Sequence, residues 1–450
     1  MYLPLFSAAL GILAFNAGWY FLAFTALAPL FLFFLRENSF WRLMVAALLF
    51  RLVFASGAAY FVIDPFLYGL SLLIFLGLPL TVFVLKRYAP QWLVLSLLPF
   101  LWAVWDYLEA QYTVLPMTVM MIGNPLAASP FLGLAKFGGI AGLTFFAAMV
   151  NALFVFLIIV RRNKSSAKFV IGAIIFISAA GWWLAYFAIQ NNAGAYFSKN
   201  RMLNVEILSV DKARRQSDYL LAFLPVSSRA DLLVVPENLY KSDLENSEAV
   251  IDFYKAAARN LNLDLSAVTL RKSDNKVYKS SILFSKTGEP AAVYDKNYLT
   301  ITSEYWPFPD WRPFYFNSYQ ENGVPEERKK AAFDPRYQHE RGKPGLIYGR
   351  GFSFASPICV EFHYPGYLSE LSGLNPDFIL HNSNNDWIQF GLSQYLRLTN
   401  NLRTIQAVRL AKPILVSGIG EYAGVFYPDG TSELVYPQNG MSLVSVAVRF

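Results

Sequence analysis

Up to about residue 190 the chain runs in long apolar blocks separated by short polar loops; beyond about residue 200 the blocks shorten and alternate with amphipathic stretches. A helix needs about 20 mostly apolar residues to cross the hydrocarbon core of a bilayer. Seven stretches approach or reach that length: 3–17, 19–35, 41–63, 67–85, 91–112, 131–160 and 169–189. The first is short and is cut from the second by Asn-Ala-Gly-Trp, so it reads as a partial span. It lacks the basic start and the small-residue cleavage site of a secretory leader. After residue 202 the pattern predicts strands at 204–210, 231–236, 263–270, 278–285, 352–360, 377–382, 413–418 and 442–448. Helices are predicted near 212–223, 246–261, 363–372 and 393–411. Strands alternating with helices argue for a layered α/β domain. The expected organisation is a polytopic α-helical membrane domain over 1–190 followed by an α/β domain over 200–450. Residues 305–345 are long, aromatic and Pro-rich, with a basic cluster at Arg328, Lys329 and Lys330, and read as a lid or loop.

Composition supports the division. The chain is 55% hydrophobic and 17% aromatic but only 15% charged, with a formal net charge of +7. In a membrane protein that excess marks loops and headgroup contacts rather than nucleic acid, so no nucleic-acid partner is expected. The basic residues fall in alternate loops: Arg36 and Arg42, then Lys86 and Arg87, then Arg161, Arg162, Lys164 and Lys168. The positive-inside rule puts those loops in the cytoplasm, and with seven spans everything after residue 190 lies outside. Trp182, Trp183 and Tyr186 would then form an aromatic belt at the outer interface. Asp106 and Glu109 sit near the outer end of the fifth stretch, where a functional carboxylate and simple solvation are both open readings. Small residues at 138–142 would let helices pack closely.

Cys359 is the only cysteine, so no intrachain disulfide forms and no cysteine-cluster metal site exists. His339, His363 and His381 show no ligand spacing, so a zinc centre is not expected. Three chemically capable residues stand at or just past expected strands: Glu237 in LLVVPENLY, Lys296 in AAVYDKNYL and Cys359 in ASPICVEF. Strand ends line the binding crevice of α/β sheets, so the three can converge. Singly, the thiol reads as core filler and the two charges as solvated surface groups.

Taken together, in the order Glu, Lys, Cys, these segments resemble the nitrilase, or carbon–nitrogen hydrolase, superfamily. Glu304 in ITSEYWPF lies where that family carries a second glutamate, Glu361 follows Cys359 as in its Cys-x-Glu motif, and NSNNDW at 382–387 is similar to its Ser-Asn-Asp-x-Trp element. With membrane spans in front, and with LAPLFLF and the GNPLAASPF segment in those spans, nearly the whole chain resembles the bacterial apolipoprotein N-acyltransferases. The resemblance implies an αββα nitrilase-like fold with Glu237 as general base, Lys296 as oxyanion stabiliser and Cys359 as nucleophile. Supporting roles fall to Glu304, Glu361 and the backbone N–H of Val360, and substrate contacts to Trp306, Asn384 and Trp387. It implies a phospholipid acyl donor, a thioester on Cys359, a diacylglyceryl lipoprotein as acceptor and no metal or organic cofactor. The implied setting is the bacterial inner membrane, multi-pass, with a monomeric enzyme whose catalytic domain faces the periplasm.

Departures from the family pattern are Val360 after the nucleophile, the extra Asn in NSNNDW, Gln406 in RTIQAVR, SGIGEYAG at 417–424 and the lack of a span after the last strand. They bear on acceptor specificity more than on the triad. A membrane-tethered amidase and a non-catalytic lipid- or lipoprotein-binding relative are the alternatives.

Overall fold

The computed structural model describes residues 2–58, 69, 72–112, 117–211, 226–227, 229–240, 247–273, 276–299, 304, 343–386, 388, 390–437 and 440–450. The expected helix at 212–223, and nearly all of the 305–345 segment, lie outside the described residues. Helices are α1 (Tyr2–Asn16), α2 (Ala28–Arg36), α3 (Phe40–Ala58), α4 (Gly77–Tyr88), α5 (Gln91–Tyr112), α6 (Ala135–Val160), α7 (Lys164–Phe197), α8 (Ser247–Leu261), α9 (Pro365–Leu374) and α10 (Leu392–Leu410). They fall into two compact units. The first comprises Met1–Gly194, Phe390–Ala411 and Pro428–Gly430; the second comprises Ala195–Gln389, Lys412–Tyr427 and Thr431–Phe450.

In the helical unit, apolar length separates full crossings from partial ones. Phe40–Ala58, Gln91–Tyr112, Leu132–Val160 and Lys164–Phe197 are long and apolar enough to span a membrane, whereas Tyr2–Asn16 and Tyr20–Arg36 are shorter. The second expected span is broken: a 3-10 turn at Tyr20–Phe24 precedes α2. A break in hydrocarbon is tolerable only if the freed backbone groups find partners. Asn151 of α6 supplies them, accepting from the N–H groups of Leu27 and Ala28 at 2.8 and 2.9 Å and donating to Ala23 O at 2.8 Å. Lys86 at the end of α4 donates to the carbonyls of Phe34 and Glu37 at 2.9 and 2.5 Å, which brings two of the basic loops to the same end of the unit.

Asp106 and Glu109 are neither snorkelling nor solvated. Both are buried against Arg51 of α3, whose guanidinium reaches Glu109 at 2.5 and 3.2 Å and Asp106 at 4.0 Å. Among the small residues at 138–142, Gly138 has nothing within 4 Å of a would-be side chain, whereas Gly139 adopts φ 57°, bends α6 and packs closely on α10, where an added Cβ would lie 2.8 Å from Arg409 Cδ. Close backbone approach also occurs at Gly133, where an added Cβ would lie 1.9 Å from Ala185 O. The unit takes in α10, tied by Asn124 Nδ2 to Leu398 O at 2.9 Å and by Gln394 Nε2 to Asn16 Oδ1 at 2.6 Å.

The second unit is the expected α/β domain. Strands β1 (Met202–Val210), β2 (Leu232–Glu237), β3 (Asp264–Ser273), β4 (Lys276–Phe284), β5 (Pro290–Asp295), β6 (Leu346–Tyr348), β7 (Ser353–Ala355), β8 (Phe378–Asn384) and β9 (Ile414–Ile419) form one hydrogen-bonded path in the order β5-β4-β3-β2-β1-β9-β8-β7-β6. Beside it, β10 (Ala423–Phe426) pairs with β9 and with β11 (Ser432–Val435), and β12 (Met441–Arg449) pairs with β1. Strands β5 and β6, the two ends of the path, touch, so the sheet closes on itself. Parallel strands covered on both faces read as continuous apolar runs, and β2, β8 and β9 are buried at every residue. Helix α8 seals the outer face: Val250, Tyr254 and Ala258 pack on Leu233, Val235, Leu265 and Ala267.

Candidate active site

Two of the three strand-end residues, Glu237 and Cys359, owe their place to a local interruption, and Lys296 to a continued register. Pro236 has no N–H to give the ladder, so the β2–β3 register shifts between Val234 and Glu237. Asn238 then turns into the left-handed region, φ 53°, and Glu237 is left with its side chain 2% exposed. Lys296 is the first residue past β5, and its backbone N–H bonds to Lys279 O on β4 at 2.8 Å. That bond extends the antiparallel register Ser280↔Asp295 by one step and sets the two lysines opposite each other.

Cys359 departs from its expected place within a strand over 352–360. The strand stops at Ala355, Pro357 interrupts the ladder, and one bridge from Ile358 to Asn382 remains. Cys359 opens a 3-10 turn, Cys359–His363, with φ 51°. A non-glycine residue there is uncommon, and such conformations collect at functional sites. His381 Nε2 lies 3.1 Å from Cys359 O and its ring stacks on Phe362, so the turn is held from β8. Val360 follows at the start of the turn, where N–H groups have no acceptor within the helix itself.

The charges form an alternating chain. Lys279 Nζ pairs with Glu237 Oε1; it also reaches Glu304 Oε1 at 2.6 Å, and Lys296 Nζ reaches Glu304 Oε2 at 2.7 Å. Glu304 thus bridges two ammonium groups. Burial works to raise its pKa, but Lys279 and Lys296 outweigh that and hold its carboxyl well below the usual carboxylate range. Burial likewise works against charge on Lys296, and Glu304 reverses the balance, so this lysine stays an ammonium. The thiol behaves in the opposite way. Burial, reinforced by the Glu237 carboxylate and only partly countered by Lys296, pushes Cys359 up to about 11. At neutral pH it is therefore a neutral thiol that needs a base. Glu237 Oε2 is buried and has no hydrogen-bond partner among the described residues.

Glu361 staples the site together. Its Oε2 accepts from Ile358 N at 2.8 Å, and its Oε1 accepts from Asn297 N at 2.7 Å, Tyr298 N at 3.1 Å and Tyr294 Oη at 2.9 Å. One carboxylate thus fixes the turn that carries Cys359 to the segment that follows Lys296. Burial raises its pKa to about 7 against those hydrogen bonds. Asn384 lies at the end of β8, buried, with Oδ1 accepting from Asp386 N at 3.0 Å. Trp306 and Trp387 lie outside the described residues. Among the described residues no three His, Cys, Asp or Glu side chains converge to hold a metal ion.

Sequence reasoning missed Lys279. It lies in a strand, KVYKSSILF, whose local pattern does not mark it for a buried site, and only its pairing with Glu237 and Glu304 reveals one. Its signal was a lysine directly across a strand pair from Lys296. Like charges so placed repel unless something lies between them.

Comparison with known proteins gives three findings. Residues 7–153 match the family described as the apolipoprotein N-acyltransferase N-terminal domain, and residues 194–424 match the family described as carbon–nitrogen hydrolase. An apolipoprotein N-acyltransferase of Pasteurella multocida (strain Pm70) is 22% identical over 340 residues, covering 71% of this chain and 62% of the relative, so the chain spans less than two thirds of that protein's length. An amidase from Nesterenkonia sp. is similar in structure, with 15% identity and a TM-score of 0.40 over 55% of this chain and 90% of that one. A carbon–nitrogen hydrolase from Helicobacter pylori G27 gives 14% and 0.40 over 55% and 89%.

Proposed function

The chain belongs to the carbon–nitrogen hydrolase family, and we propose that it transfers an acyl chain from a phospholipid to the N-terminal amine of a diacylglyceryl-cysteine lipoprotein. The observation that carries the reading is Cys359, held at φ 51° in a turn and facing alternating carboxylates and ammonium groups, in a chain with four membrane-length helices among its described residues. A soluble amidase has no need of such helices. An enzyme whose donor and acceptor are both anchored by acyl chains does.

In this reading Glu237 takes the Cys359 proton as sulfur attacks the ester carbonyl. Lys296, with the Val360 N–H, faces the oxyanion that forms. Collapse breaks the C–O bond, Glu237 returns the proton to the departing alcohol of the lysophospholipid, and a thioester remains on Cys359. The acceptor amine then attacks, Glu237 takes its proton, the C–S bond breaks and the thiol is restored. Glu304 keeps Lys296 charged, and Glu361 keeps the Cys359 turn in register with it. The alternate basic loops support an orientation with this domain on the periplasmic face of the inner membrane.

Intact-mass measurement of the purified protein after mixing with phospholipid tests the proposal. The expected result is one acyl chain added to the wild type, removed by hydroxylamine and missing from Cys359→Ala. An adduct from a small amide with none from phospholipid would instead mean a membrane-tethered amidase.

A further inference from the structure

The triad needs one lysine for the oxyanion, yet the site buries two. Lys279 projects from β4 beside Lys296, its side chain 13% exposed, and pairs with both Glu237 Oε1 and Glu304 Oε1. The charged and titratable groups facing it are Glu237 at the end of β2, Glu304, Lys296 past β5 and the Cys359 thiol. Without Lys279 these groups would sum to a net negative charge around a thiol that must itself become negative.

We infer that Lys279 is a positioning residue for the reaction: by gripping Oε1 of Glu237 it fixes the carboxylate so that Oε2 is the oxygen offered to Cys359. Oε2 is buried and unpartnered among the described residues, as an acceptor kept open for a proton would be. The neutral balance of two carboxylates and two ammonium groups also limits the electrostatic penalty when negative charge develops on sulfur.

This inference rests on Glu237 as the base for Cys359, and not on the identity of the acyl donor. Its test therefore uses no lipid. Cys359 is the chain's only cysteine, so alkylation by iodoacetamide, followed by intact mass on the full-length protein in detergent, reports one thiol. In Lys279→Gln the alkylation rate at neutral pH should fall about tenfold or more, because Oε1 of Glu237 is no longer gripped and Oε2 is no longer aimed at the thiol. Lys279→Arg, which can keep the grip, should restore the rate to within about twofold of the wild type. Lys279→Met is measured in parallel, with melting curves for each variant, so that a folding defect in one replacement does not decide the result. A rate in any folded neutral variant that coincides with wild type, or a Lys279→Arg rate as low as that of Lys279→Gln, overturns the inference. A slowed and Arg-rescued rate without a lipid-derived adduct would leave Lys279 in this role and remove the phospholipid reading alone.

Discussion

Each unit buries a cluster of charge, and the two clusters follow opposite plans. In the helical unit a single guanidinium serves two carboxylates. Arg51 and Glu109 are 2% and 0% exposed and paired at 2.5 Å, with Asp106 held by Trp102 Nε1 at 3.0 Å and lying 4.0 Å from the guanidinium. Phe54 and Phe75 pack on the Arg51 cation. This arrangement joins α3 to α5 and leaves no thiol within it, since the one cysteine lies in the other unit. In the sheet unit two lysines alternate with two glutamates, and the thiol of Cys359 stands in their field. Each cluster leaves one buried carboxylate oxygen without a hydrogen-bond partner among the described residues, Asp106 Oδ1 in the first and Glu237 Oε2 in the second. What tells the two apart is the second cation and the thiol: the sheet unit holds two ammonium groups beside a group on which negative charge could form.

The contrast can be broken experimentally. Arg51→Met leaves two buried carboxylates without their cation and should destabilise the protein by about 3–5 kcal/mol, read as a large drop in melting temperature in detergent. The pH profile of Cys359 alkylation in the protein that still folds should not move. A wild-type melting temperature would show that the pin carries no stability. Lys296→Met should do the reverse. Thioester formation falls about 10²–10³-fold, the usual cost of losing one oxyanion donor, with a smaller melting shift than Arg51→Met. Equal damage to melting and rate in both variants would erase the distinction.

The smallest effect concerns pH. The Cys359 thiol is held up at about 11 in the folded protein against an ordinary 9.0, burial being the main cause. Between those values the unfolded chain has lost a proton that the folded one keeps, so stability falls as pH rises through that window. Cys359→Ala should flatten this alkaline fall relative to wild type. Superimposable stability curves would mean the thiol is not buried in solution as it is here.

Much of this was legible in the sequence because burial on both faces writes itself as unbroken apolar runs. β1, β2, β8 and β9 lie where their runs predicted, and α8 follows its amphipathic pattern. What escaped was anything decided by a partner distant in the chain. Arg51 reads as an isolated charge in an apolar stretch until α5 brings Glu109 to it. Lys279 stands beside Tyr278, Ser280 and Ser281 in a strand without clean alternation, and its burial is decided by Glu237 and Glu304 from other segments. The strand expected through Cys359 failed at Pro357, whose missing N–H ends pairing. α10 gives no sequence sign of its place among the helices: Gln394, Thr399, Arg403 and Gln406 are buried there, and polar residues normally mark an exposed face. The second span looked continuous because its break is repaired by Asn151, more than a hundred residues away.

The turn at Cys359 carries a consequence for how this site could change over generations. A side chain with φ near 50° costs roughly 1–2 kcal/mol relative to glycine, so the molecule would fold more readily with glycine at its most important position. Neutral drift toward sturdiness and retention of reactivity therefore pull against each other at this residue. On the proposed role of Cys359, a lineage released from the need for the reaction would be expected to lose this cysteine early, well before its sheet or its helices showed any sign of decay.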